Sequence, residues 1–444
     1  ISSNLKEYIF KLRFSLWNDG SQVTAYDFEY AWKKILSPDF TTAFAHPFYS
    51  IKNAKEAKEG KVSPDQIGVK VIDERTLKVE LVRPTPYFLQ WTAHPFYSPI
   101  HRLIDQQHPQ WSYQCEKHYP CNGPFELKIN QPNQGYQLVK NPYYWDANNI
   151  TLDQITLTLM SPVQAFQAFQ KNEIDWVGNP FGGWHSFYTP KNEDHIISFP
   201  NYNCWYAFNT SSAPFNNRKL RQAFAYAIQR SRITDNAFLP LTPAYSLLLP
   251  HQNFRQCLFA DFDAEKARQL LHEALEELNL KKEDLNPLKL VFHDKGIHEY
   301  TALCLKQQFK EHLDLECDLK SLPWSSVFNK MTTGDFQMGI IHWFSWIDDP
   351  IYTLNTFRSS YENINVSKWE NPVFQRLLEL SEGEIDLFKR SSYLLEAEEI
   401  LYREMPVIPL YYQPYQALAK KDFNLFNRTC APFIFSKSFY KKEN

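Results

Sequence analysis

Apolar residues along this chain recur with two different periods, and the alternation between them is the first guide to its architecture. In "TAYDFEYAWKKIL" (24–36), Phe28, Ala31, Trp32 and Ile35 fall on one helical face behind Thr24, a residue suited to an N-cap. The stretch "TLKVELV" (76–82) alternates apolar and polar, the period of a half-buried strand. Further on, "CNGPFELK" predicts a turn entering a strand, "YQLVKNPYYWD" and "LDQITLTLM" predict sheet, and "PVQAFQAFQKNEIDW" predicts a helix. Another strand is expected over "YNCWYAFNT" (202–210).

The helical period returns in "NNRKLRQAFAYAIQRSRI", where Leu220, Ala223, Phe224, Ala227 and Ile228 share a face and Asn216 or Asn217 serves as cap. In "DAEKARQLLHEALEEL" (263–278), Asp263 caps a helix whose Ala267, Leu270, Leu271, Ala274 and Leu278 face inward. "LKLVF" then reads as a strand and "YTALCLKQQFKEHL" as a helix. Such alternation predicts an α/β fold with parallel strands. No Gly/Ser-rich linker divides the chain, so its domains are expected to share short crossovers. The hexapeptide "AHPFYS" occurs at 45–50 and at 93–98. Its flanks match at no fixed period, so it reads as a coincidence rather than a repeat architecture.

A length of 444 residues suggests two or three domains at ~100–200 residues each. Hydrophobic residues at 43% and aromatic residues at 16% exclude a disordered chain. Lys plus Arg (47) nearly balance Asp plus Glu (50), and the basic residues are scattered. Without a concentrated positive stripe, nucleic acid and anionic membrane are excluded as main partners. No run approaches the ~18 apolar residues of a membrane span. The chain starts at Ile1 without a basic, apolar and small-residue leader, so a leader has been removed or the start of the gene product lies upstream.

Chemistry changes the picture mainly by its absence. With 12 glycines, the sequence holds no dinucleotide-binding glycine motif, phosphate loop or nucleophile elbow, and no paired-histidine zinc helix. No cofactor is expected, and the chain does not read as an enzyme. The seven cysteines leave at least one unpaired; Cys115 and Cys121 flank His118 in "CEKHYPC", and a disulfide loop, free thiols or part of a metal site all stay open. His298, in "GIHEY", reads as a helix-start or surface histidine rather than a catalytic base. In "HWFSWIDDP" (342–350), Asp348 and Asp349 are adjacent and would point to opposite sides of an extended segment, which makes them a poor acid/base pair.

Several stretches in fixed order resemble the peptide-binding branch of the bacterial solute-binding proteins, receptors of oligopeptide and dipeptide ABC importers. They are "YIFKLRFSLWNDGSQVTAYDFEYAWKKIL" (8–36), "IGVKVIDERTLKVELVRPTPYFL", "NGPFELK", "KNPYYWD", "NEIDW", "FNTSSAPFNNRKLRQAFAYAIQR", "WFSWIDDP" and "PVIPLYY". The resemblance implies a periplasmic binding protein-like class II α/β fold: two lobes joined by hinge crossovers, plus an extra small α/β domain. It places the extra domain at about 1–100, the first lobe at 101–203 with 418–444, and the second lobe at 204–417. Only seven residues precede Tyr8, so the first strands of one lobe are expected to be missing.

The resemblance further implies capture of a peptide in the interlobe cleft and delivery to a permease driven by a partner ATPase. A monomer outside the cytoplasm is expected, tethered through a lipidated leader upstream. Murein peptide, glutathione, nickel chelate or haem are alternative ligands within the fold, and a secreted enzyme or adhesin reusing the fold is the alternative outside it. Family members read Trp-x-x-Asp-Tyr-x-[Asp/Glu]-Pro near the ligand's α-ammonium; aligning on Trp343 and Pro350 puts Trp346 where that Asp belongs. If the segment is extended, Asp348 shares the Trp346 face and substitutes for the anchor, unless both aspartates only cap the turn and the following helix. By the same resemblance, Trp343 lines the pocket, Trp346 presents an indole face to a cation or flat group, and Trp324 and His298 stand at ligand-pocket positions. Phe48 falls in the part of the small domain that faces the cleft, and Tyr206 lies in a crossover between lobes.

Overall fold

In the computed structural model, which describes residues 1–42, 44–113, 119–131, 135–178, 194–237, 239–250, 259–360, 364–420, 423–425 and 439–441, the chain begins with a small antiparallel sheet. Strand β1 (Glu7–Lys11) pairs with β3 (Thr76–Glu80), which also pairs with β2 (Val69–Asp73). Helix α1 (Ala25–Ile35) packs against β2 and β3. Thr24 stands at its N-cap as expected, and the Asp27 carboxylate accepts from the Thr24 backbone N–H at 2.8 Å, half of a capping box. Short helices α2 (Ala54–Lys58), α3 (Phe88–Thr92) and α4 (Arg102–Gln107) complete this part.

The two AHPFYS copies meet here. Each contains a short 3₁₀ turn, His46–Ser50 and Pro95–Tyr97. Phe48 stacks on Tyr97 at 4.1 Å, and the Tyr97 hydroxyl donates to the Pro47 carbonyl at 2.8 Å. The two copies are partners in one core.

A second antiparallel sheet, β4 (Phe125–Gln131), β5 (Gly135–Lys140) and β6 (Gln154–Thr158), follows. Helix α5 (Pro162–Gln170) starts at a Ser161 capping box. It stops earlier than the helical pattern suggested: Asn172 takes a left-handed φ of 61°, and β7 (Trp176–Gly178) carries Trp176 away as strand.

The rest of the chain builds a larger mixed sheet. Along the sequence come β8 (Asp194–Phe208), α6 (Arg218–Tyr226), α7 (Arg230–Thr234), β9 (Thr242–Pro243), α8 (Ala264–Leu278) and β10 (Leu288–His293). Then follow α9 (His298–Leu313), β11 (Cys317–Leu322), α10 (Trp324–Thr333), β12 (Met338–Phe344), α11 (Pro350–Leu354), α12 (Pro372–Gly383), α13 (Leu387–Glu404) and β13 (Val407–Lys420). Among the described residues the order is β11-β10-β12-β8-β13-β7, with β9 beside β13. A separate pair joins β14 (Phe423–Leu425) and β15 (Phe439–Lys441).

Two expectations are corrected. The helix anticipated across 216–233 is broken into α6 and α7, because Arg230 turns inward: its buried guanidinium donates to the carbonyls of Pro409 at 2.8 Å and Ala260 at 2.7 Å. The sheet is not parallel throughout. β10 lies parallel to β11 and β12, whereas β8 and β13 run antiparallel to each other and β8 antiparallel to β12. The long β8–β13 ladder carries register shifts between Pro409 and Tyr411 and between Gln413 and Pro414. The expected domain boundaries at 203/204 and 417/418 fall inside these two strands. One continuous apolar core links the small N-terminal sheet to the β10–β12 side of the large one.

Candidate functional site

Parallel strands that each feed a helix leave a crevice at their carboxyl ends, where the following helix N-termini converge. In this chain β10 ends at His293, α9 begins at His298, α10 begins at Trp324, and β12 carries His342 near its end. The imidazoles gather there: His298 lies 4.3 Å from His342 and 5.3 Å from His293, centroid to centroid. Trp324 stands edge-on to His293 at 6.1 Å and keeps 41% of its surface exposed.

Burial sets the protonation of two of these rings, His298 and His342. Desolvation, with His293 as a second cause, pushes His298 down to about 4. Desolvation together with His298 and His293 holds His342 well below the ordinary histidine range. Both rings are neutral at pH 7. His342 Nε2 is 3.2 Å from the Tyr411 hydroxyl, which is 3.0 Å from the Thr301 hydroxyl. His298 is buried, so it is a helix-start histidine and not a surface one, and its Nδ1 has no hydrogen-bond partner among the described residues.

Beyond Phe344 the strand ends and the chain turns, so the face-sharing argument for Asp348 loses its premise. Asp348 lies exposed on that turn. Asp349 is buried and structural. It accepts from the Ile351 backbone N–H at 3.0 Å, capping α11, and takes two hydrogen bonds from Arg390 at 2.8 and 3.0 Å. Trp346 stacks between Phe96 at 4.9 Å and Phe344 at 5.3 Å, with His94 at 4.8 Å and Phe44 at 5.6 Å. Trp346 therefore sits in a box of rings, three of them from the N-terminal part.

Strand alternation sends Trp343 to the other face of β12. There it stacks between Trp205 and Tyr352, each at 5.5 Å, donates from Nε1 to the Thr353 hydroxyl at 3.2 Å, and lines a cavity of about 250 Å³. Two further candidates are withdrawn as ligand contacts. Phe48 and Tyr206 are both fully buried, Phe48 against Tyr97 and Tyr206 against Phe208 and Phe309, and neither has surface left to offer.

Sequence reasoning missed Phe44, His94, Phe96, His293 and His342. The duplicated hexapeptide was the available signal for His94 and Phe96, and His342 opens the very stretch that drew attention to Trp343. Cys115 and His118 lie outside the described residues; Cys121 is a free thiol, pushed up to about 11 by burial. Among the described residues no group of His, Cys, Asp or Glu is placed to hold a metal ion, and no helix is long and apolar enough to cross a membrane.

Residues 1–365 match the model of the bacterial extracellular solute-binding proteins, family 5 (middle), and the chain belongs to that family. It is 34% identical over 422 residues to the oligopeptide-binding protein OppA of Bacillus subtilis (strain 168), covering 93% of this chain and 77% of that protein. It is 30% identical over 456 residues to the probable deoxycholate-binding periplasmic protein YgiS of Escherichia coli (strain K12), covering 98% and 83%. The solved structure of the Escherichia coli murein tripeptide binding protein MppA matches with a TM-score of 0.82 at 23% identity, over 100% of this chain and 89% of that one. That match establishes the class II binding-protein fold.

Proposed function

We propose that this chain is the capture receptor of an ABC-type peptide importer, holding its ligand at the carboxyl ends of β10 and β12 and handing it to a membrane permease and ATPase. The observation that carries this reading is the family match over residues 1–365; the imidazole cluster around His298, beside the 41% exposed Trp324, is where the ligand is proposed to sit. Family membership and the oligopeptide-binding name of the Bacillus subtilis relative supply the ligand class. In this reading Trp324 and His298 line the crevice, Trp346 closes one end, and Trp343 braces β12 from behind. The protein acts outside the cytoplasm, by binding alone, as a lipid-anchored monomer.

The aromatic box at Trp346 supports a second feature: the ligand's end is not held there by a carboxylate, so an amine-blocked peptide binds as well as a free one. A charge-assisted hydrogen bond contributes about 1.5–3 kcal/mol, so an acid-anchored site would favour free amines by about tenfold or more. The test is titration calorimetry with tripeptides in free-amine and N-acetylated form, after native purification and mass spectrometry of whatever the protein retains. Affinities within about threefold of each other are expected. Heat from neither form, with well-folded protein and no retained peptide, would remove the peptide reading and leave the apolar solutes suggested by the deoxycholate-binding name of the second relative.

A further inference from the structure

The cavity behind Trp343 lies on the face of β12 turned away from the histidine crevice, and nothing in the capture reading uses it. Its walls come from both ends of the chain. Tyr49 and Trp91 contribute from the N-terminal part, Trp343 and Tyr352 from the β12–α11 segment, and Trp91 meets Tyr352 edge-on at 5.6 Å. At about 250 Å³ it sits just below the ~300–1,000 Å³ usual for organic-ligand pockets, which limits the occupant to one ring or a short chain.

Three charges face this space. Glu382, 1% exposed, accepts from Arg358 Nη2 at 2.7 Å and from the Tyr87 hydroxyl at 3.4 Å. Its other oxygen stands 3.1 Å from Arg83 Nη1 without a hydrogen-bonding alignment. One carboxylate therefore serves two guanidiniums, and the neighbouring Asp349–Arg390 pair adds no net charge. Arg83 is half exposed at the mouth, and its remaining N–H groups, with Nη1 of Arg358, donate to no atom among the described residues. A low-dielectric, aromatic-walled space with an excess positive charge and spare, planar donors selects an anion with a flat apolar body.

We propose that this cavity is a second binding site, taking a small monocarboxylate that carries a single ring or short apolar chain. The carboxylate sits between Arg83 and Arg358, where each guanidinium supplies the fork geometry that an ammonium could not, and the apolar body lies against Trp91 and Tyr352. The His46 side chain, also on the wall, borders the same space.

Titration of the full chain with phenylacetate, 2-phenylethanol and 2-phenylethylamine tests this by calorimetry and by tryptophan fluorescence, since Trp91 and Trp343 both line the cavity. Phenylacetate is expected to bind at least tenfold tighter than the alcohol, and the amine not measurably. Two substitutions should act in opposite directions: Arg83→Gln weakens phenylacetate at least threefold, and Glu382→Gln tightens it by removing the competing carboxylate. Should Glu382→Gln fail to fold, the half-exposed Arg83→Gln still decides. Equal binding of all three compounds, preference for the amine, no binding at all, or an affinity unmoved by Arg83→Gln would each overturn the proposal.

Discussion

The two ends of the site around β12 are built on opposite terms. At the His298 end, polar rings are buried at a cost, one nitrogen has no partner among the described residues, and the charged state is suppressed. At the Trp346 end, rings from distant parts of the chain stack on one another and the adjoining carboxylate, Asp349, is fully employed by Arg390 and the α11 cap. One end buries polar rings at a cost in stability; the other gains stability from stacked rings and a paired, capping carboxylate.

The largest effect is expected at the closed end. Replacing Asp349 by Ala strands the buried Arg390 guanidinium and removes a helix cap, which should lower unfolding free energy by about 3–5 kcal/mol in urea. A loss under ~1 kcal/mol would mean that this end is not the stable one.

Acid should reveal the other end. An unfolded histidine titrates near ~6.5, whereas folded His298 does so at about 4. Between those values the unfolded chain binds the extra proton, so stability is intact above pH ~6.5 and declines as pH falls toward ~4, by on the order of 3 kcal/mol for His298. His342 adds in the same direction. Melting curves at successive pH values check this, and His298→Phe should flatten the decline. An unchanged slope in that variant would place the acid sensitivity elsewhere.

The smallest effect separates the two ends by ligand. Trp346→Asp should create a preference of about tenfold for free-amine over N-acetylated tripeptide, worth ~1.4 kcal/mol. If no preference arises, the ligand's amino end does not lie at this position.

What could be read from the sequence follows a physical line. α1, α8 and α9 were legible because a dozen or so residues with one apolar face leave few alternatives, and Thr24 and Asp263 marked their starts. The break between α6 and α7 was not, since it depends on Arg230 reaching carbonyls of Pro409 and Ala260 that are far off in sequence. Phe48 and Tyr206 were misjudged for a related reason: a resemblance places a residue on an element, but only packing decides which side of it faces a ligand. The histidine cluster joins residues from β10, α9 and β12, and the ring box joins positions 44, 94 and 96 to 344 and 346. Neither convergence leaves a local pattern.

The long β8–β13 pair has a mechanical consequence. Its ladder is continuous toward both ends but skips register twice within Pro409–Pro414, next to two prolines that have no N–H to give. The ribbon is therefore stiff at its ends and compliant over six residues in the middle, like a ruler scored across its width. Any flexing between the parts of the protein attached to either end concentrates at that score, so substitutions at Pro409 and Pro414 are expected to change how readily the ribbon bends.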